Sequence, residues 1–202
     1  MLQGRIVLMK DQVVIRTSKV VLRPKRREDV EEDYAWRSDE GLAELDAAVP
    51  LRQSFQEFAR RYDEESRFPT PWSKRFSIDT IDGKHIGNCM CYDINLSNGA
   101  AEMGIMIGDR DYWNRSYGYD SVVVLLDHMF STTTLLRLYL HTLEWNIRAR
   151  KCFERCGFTF RHMVQRNGKT FAYMDITREY WIEIREERLR CRGGAITEGY
   201  KC

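Results

Sequence analysis

Residues 101–158 constrain this chain more than any other stretch. An apolar, strand-like run, A-E-M-G-I-M-I, ends in the polar turn G-D-R-D-Y-W-N-R-S-Y-G-Y-D. That turn opens onto an apolar, helix-like segment. Backbone N–H groups at such a helix start can point at an anion. A second strand then ends at Asn146, followed by a short helix and the pair Gly157-Phe158. This order suits a pyrophosphate-bearing molecule held between two strands.

The rest of the chain narrows the class. At 202 residues, with 43% hydrophobic and 31% charged residues, one globular domain with short tails is expected. The net charge of +2 is too balanced for a nucleic-acid or membrane partner, and no apolar run reaches the ~20 residues of a membrane span. The N-terminal run is closed by Lys10 and Asp11, unlike a signal peptide, so a cytoplasmic location is expected. Cys89 with Cys91, and Cys152 with Cys156, share a strand face and a helix face but lack zinc spacing. They are expected to be small apolar residues kept reduced, with no metal, whereas Cys191 and Cys202 are expected to be exposed.

Residues 5–16 suggest an extra strand, and Lys19–Arg23 a firmer one closed by Pro24. A helix is expected over 28–37, with its acidic residues in the first turn. Ser54-x-x-Glu57 is a capping box, and Phe55, Phe58 and Tyr62 then form one apolar face of a helix over 54–66. Residues 39–50 between these helices are expected to form a loop. Asp82-Gly83 and Asn98-Gly99 mark the turns of a three-strand meander over 75–108. A helix over 118–130, a strand over 135–143 and a helix over 147–156 stopped by Gly157 follow. Strands over 158–165 and 170–177 meet at Asn167-Gly168, a charged helix begins after Trp181, and residues from Gly193 are expected to be disordered. The order βααβββαβαββ implies an α+β fold, a mixed sheet with helices on both faces. Residues 1–18 are read as an extension, 19–182 as the domain and 183–202 as a tail.

This order resembles the GNAT superfamily of acyl-CoA N-acyltransferases, and within it the RimJ/RimL-type group. The most specific parts are Trp113 to Tyr119 and the N-x2-A-x3-F-x3-G-F segment from Asn146. The family's phosphate loop reads (Gln/Arg)-x-x-Gly-x-(Gly/Ala), close to W-G-K-G-Y-G/A in the Rim-type group. Here it is Trp113, Asn114, Arg115, Ser116, Tyr117, Gly118, so Asn114 and Ser116 replace two glycines. The resemblance implies acetyl-CoA as cosubstrate and transfer of its acetyl group to a primary amine on a protein N-terminus or a small molecule; a homodimer is common in the resembled group. It places pantetheine along Ile105, Met106 and Ile107 and on Asn146, and phosphate at 114–119, with Arg150 one turn further on.

The chemistry asks for a base, an oxyanion donor and sometimes an acid for the sulfur. Many relatives carry a tyrosine acid where this chain has Phe153, which has no proton to give. For the base, His141 stands where some relatives carry a glutamate, and an imidazole suits neutral pH. Glu102 and Glu144 are the other main candidates, with Tyr112, Tyr139 or no dedicated base as the remaining alternatives. Acceptor recognition is expected from 39–50 and 54–66, where Glu40, Glu44 and Asp46 would draw a cationic amine. A catalytically silent acyl-CoA-binding module is the alternative that Phe153 and the replaced glycines leave open.

Overall fold

A computed structural model of the protein describes residues 15–190. Eight strands form one sheet in the order β1-β2-β3-β4-β5-β6-β8-β7. The strands are β1 (Ile15–Arg16), β2 (Val20–Arg23), β3 (Lys74–Thr80), β4 (His85–Asn95), β5 (Ala100–Ile107), β6 (Arg137–Leu143), β7 (Thr159–Arg166) and β8 (Lys169–Thr177). The helices are α1 (Val30–Ser38), α2 (Glu40–Leu45), α3 (Phe55–Arg67), α4 (Tyr117–Thr132), α5 (Ile147–Cys156) and α6 (Arg178–Arg190). The extra strand expected over 5–16 is seen as β1; residues 5–14, the segment from Gly193, and Cys191 and Cys202 lie outside the described residues.

The expected turns form where glycine and asparagine permit them. Gly83 and Gly99 take positive φ, as do Asn167 (φ 48°) and Gly168 (φ 73°) in the β7–β8 hairpin. Gly157, at φ 108°, ends α5. The Ser54–Glu57 capping box is made in both directions, at 3.3 and 2.9 Å.

Residues 39–50 are not the expected loop. Asp39 accepts from Leu42 N at 2.8 Å and starts α2. Gly41, a poor helix residue, and the brevity of the helix hide it from periodicity. At the other end α6 continues past 182, with Ile184 and Leu189 packed against the core.

Side chains alternate across the sheet. Leu22, Ile78, Cys89 and Met103 face α4, which buries Val122, Leu125, Leu126 and Met129 against them. Their neighbours Arg23, Asp79 and Asn88 face the other way, beneath α1 and α3. The chain thus has an apolar core on one face and a polar one on the other. The latter centres on Arg23, which pairs with Asp29 at 2.7 Å and Asp79 at 2.5 Å.

One irregularity creates space. Neighbouring strands pair antiparallel except β5 and β6, which pair parallel at only three positions, Ala100–Glu102 with Arg137–Tyr139. Beyond them β5 continues beside β4 alone, and β6 beside β8 alone. The two strands diverge, leaving one edge of residues 103–107 without a strand partner among the described residues.

Candidate active site

A cleft of about 400 Å³ opens at this divergence. Ile105, Met106 and Ile107 line it from β5, Asn114, Ser116, Tyr117, Gly118 and Tyr119 from the loop and first turn of α4, and Asn146 and Phe153 from α5. Leu42, Leu45 and Asp46 close its far side. The free edge of β5 can accept an extended chain as an added strand would.

The loop explains how two glycines can be replaced. Asn114 (φ 57°) and Ser116 (φ 64°) both hold the left-handed conformation that glycine adopts without strain. Asn reaches that region more readily than most residues; Ser does so at some cost. Ser116 is the N-cap of α4 and makes no side-chain cap bond. The first-turn amides of α4 are therefore left to face the cleft. Lys19 ties the loop down by donating to the Arg115 carbonyl, and its ammonium lies over the Tyr117 ring at 4.7 Å. Trp113 Nε1 donates to Ile107 O at 2.7 Å, fixing the loop to the strand end.

Helix α5 forms the opposite wall. Asn146 caps it, Oδ1 accepting from Ala149 N at 3.2 Å, which leaves its side-chain NH2 for a ligand. Arg148, Lys151 and Arg155 line the cleft and make no ion pair among the described residues. Arg148 lies 3.8 Å over Trp113, and Arg155 4.9 Å over Tyr119. Together with the α4 amides they form a cationic cradle of the kind a pyrophosphate needs.

Two expected phosphate contacts do not reach it. Arg150 turns away: its Nη1 donates to Glu144 O at 3.3 Å and its guanidinium lies over Phe160. Arg115 is exposed and lies outside the lining. Helical rotation decides this, because the cleft face of α5 carries 148, 151, 152 and 155, and 150 lies off it. The i, i+3, i+7 spacing of Arg148, Lys151 and Arg155 was the available signal for those residues.

Phe153 is buried in the cleft wall against Phe158, with ring centroids 5.9 Å apart. Cys152 beside it is a free thiol, half-buried, and lines the cleft. Its neighbour Cys156 pulls its thiol below the usual range, and Arg155 and Arg148 act the same way. Burial raises the other three described cysteines, Cys89, Cys91 and Cys156.

The base candidates separate clearly. His141 Nδ1 and Glu102 Oε1 are 2.8 Å apart, both side chains nearly buried. Tyr92 stands opposite Glu102 across β4 and β5, and burial and the charge of that carboxylate raise its phenol. Glu144 is exposed; its backbone N donates to Thr170 O at 3.0 Å and its backbone O accepts from Arg150 Nη1. His141 and Glu102 do not line the cleft itself; His141 faces a second basin over β6, β7 and β8. Neutral His141 donating from Nδ1 to Glu102 leaves Nε2 as an acceptor for a proton.

The acidic segment is less acidic in space than in sequence. Arg110 takes both oxygens of Asp39, at 2.7 and 3.0 Å, and holds that carboxyl down at about 2. Arg37 pairs with Asp46 at 3.4 Å and Arg52 with Glu40 at 3.8 Å. Crowding pushes the Asp46 carboxyl up, although 41% of its side chain still meets water, which moderates the effect. Asp46 lines the cleft, whereas no residue of α3 does. Among the described residues, no group of three His, Cys, Asp or Glu is placed to hold a metal ion.

Comparison with known proteins agrees with this geometry. The family profile described as an acetyltransferase (GNAT) domain matches residues 19–159. A spermidine N(1)-acetyltransferase of Vibrio cholerae serotype O1 is 25% identical over 132 residues, 65% of this chain and 75% of that protein. The crystal structure of spermidine N-acetyltransferase from Vibrio cholerae with CoA and spermine superposes with a TM-score of 0.73 at 20% identity, covering 82% of this chain and 99% of that one. Aminoglycoside acetyltransferase AAC(6')-Ib with coenzyme A gives 0.68 at 18% identity, covering 82% and 99%.

Proposed function

Because the chain belongs to the GNAT acetyltransferase family, we propose that it transfers an acetyl group from acetyl-CoA to a primary amine through the cleft between β5 and β6. The observation that carries this reading is that cleft. It combines a free strand edge, a left-handed loop, the first-turn amides of α4 and three cations on α5 that make no ion pair among the described residues. The residues fit the cosubstrate. Residues 105–107 and Asn146 would hold its pantetheine arm. The 114–119 backbone with Arg148, Lys151 and Arg155 would hold its pyrophosphate. Acetyl-CoA supplies an activated acyl group as a thioester.

The chain's residues have three tasks in this reaction. His141 takes the proton of the incoming ammonium at Nε2, directly or through water, while Glu102 holds the ring and stabilises the imidazolium. The strand edge and loop hold the acyl donor in line with the nitrogen lone pair. Phe153 gives no proton, so the sulfur leaves as a thiolate, which its moderate basicity allows. We place the catalytic domain at 19–182, continued by α6, acting in the cytoplasm. A homodimer, common in the resembled group, is checked by light scattering.

Two acceptor classes follow from the likenesses. The Rim-type form of 113–118 favours a protein N-terminus; the Vibrio relative favours a small amine. The second reading, a silent acyl-CoA-binding module, is favoured by Phe153 alone. Thiol release from acetyl-CoA across an amine panel, beside CoA calorimetry, tests both. His141→Ala should lower kcat by about 10²–10⁴-fold with CoA affinity unchanged. Tight CoA binding without thiol release on any amine would select the silent module.

A further inference from the structure

We infer that the basin on the open face of β6, β8 and β7 binds the acceptor and selects a primary amine whose molecule also carries a carboxylate. This rests on the acetyltransferase reading above and names its substrate class. The basin holds about 470 Å³, and its walls include Asp93, Arg137, Tyr139, His141, Arg166 and Tyr173.

Its floor is aromatic. Tyr139 and Tyr173 lie 5.5 Å apart, His141 is 5.2 Å from Tyr173, and His162 stacks on Tyr173 at 5.0 Å. Such a floor accepts a hydrocarbon stem and attracts an ammonium through the ring faces. Asp93 stands on one side, on a bulge of β4 with φ 50°, a conformation that few non-glycine residues hold.

The charges set the class. Arg137 and Arg166 make no ion pair among the described residues. Elsewhere Arg23, Arg37, Arg110, Arg161 and Arg185 each meet a carboxylate. Both arginines line the basin beside Tyr139 and Tyr173. Two unpaired guanidiniums and one carboxylate complement a zwitterion. A bare polycation would meet two like charges there.

The basin also leads to the chemistry. His141 lines the basin and meets Glu102 at 2.8 Å, on β5, the strand whose residues 105–107 line the cleft. The pair thus links the two spaces. An amine seated by Asp93 faces His141, while its carboxylate reaches Arg137 and Arg166.

Calorimetric titration of the CoA-loaded protein separates the occupants. The ligands are a dipeptide with a free C-terminal carboxylate, the same dipeptide as its carboxamide, and spermidine. The acid should bind at least about tenfold tighter than either of the others. Arg137→Gln combined with Arg166→Gln should abolish that preference and leave the carboxamide's Kd unchanged; Asp93→Asn should weaken both dipeptides. Equal binding of acid and carboxamide, or tighter binding of spermidine, overturns the inference. Acetyl transfer on the same panel is read separately. Selective binding with no turnover would overturn the acetyltransferase reading and leave the basin assignment standing.

Discussion

The polar core beneath α1 and the cationic wall of α5 are both rich in arginine, yet they are built on opposite plans. Around Arg23 the charges answer each other. The guanidinium takes Asp29 and Asp79, and Asp29 also accepts from Ser77 Oγ at 2.6 Å and Arg26 N at 2.9 Å. On α5, Arg148, Lys151 and Arg155 share one sign and face a cleft without an ion-pair partner among the described residues. Closed networks hold a fold in register; open clusters of one sign are left for a ligand to close. Burial opposes the charge on Arg23 and on Asp29, but their mutual hydrogen bonds win, raising Arg23 and holding Asp29 well below the carboxylate range.

The comparison breaks most visibly at Arg23. Arg23→Met strands two buried carboxylates and should cost about 3–5 kcal/mol, read by denaturant unfolding. A loss under 1 kcal/mol would mean the network is dispensable. The same substitution type on α5 should do the reverse. Arg148→Gln with Arg155→Gln should weaken CoA binding about 100-fold and move stability by no more than about 0.5 kcal/mol. If instead the protein unfolds and CoA affinity holds, the two regions have exchanged roles.

A buried group with no such network sharpens the point. His128 is 5% exposed, its Nδ1 has no hydrogen-bond partner, and burial with Lys74 nearby lowers its pKa to about 4. Because the folded state resists the proton, its stabilising share is intact above about pH 6.5, the unfolded value, and is lost as pH falls toward 4. The loss should be about 2–3 kcal/mol, and His128→Gln should flatten the stability–pH curve in that window. Asp29 is also depressed, but its share is present above about pH 4, the unfolded value, and is lost only below it. Acid unfolding should thus have two stages, and a wild-type curve flat from pH 7 to 4 would contradict the first. The smallest effect belongs to the loop. Ser116→Gly relieves a left-handed serine and should add about 1 kcal/mol, or roughly 2–4 °C in Tm. A lower Tm would mean that the Ser116 side chain holds the loop.

Much of this was legible along the chain. The capping box of α3, the Asp-Gly and Asn-Gly turns and the Gly157 stop are local devices acting within a few residues, and they formed where read. The motif pairing of 113–119 with 146–158 located the cleft, because both halves sit at element ends that sequence marks well. Helix α2 was missed because six residues with a glycine carry no periodic signal. Arg150 was placed on the phosphate by proximity in sequence, whereas rotation about α5 turns it toward Phe160. The acidic 39–50 segment read as a field for cations until Arg37, Arg52 and Arg110 arrived from elsewhere to pair with it.

By itself the sequence determined the order of the elements other than α2, the turns between them and the loop that faces the cleft, since each depends on neighbours a few residues apart. Only the tertiary structure decided which charges are spent on one another and which remain open. Arg23 meets Asp79 across 56 residues and His141 meets Glu102 across 39. Such pairings are set by strand order and by the divergence of β5 from β6, and no local pattern records them.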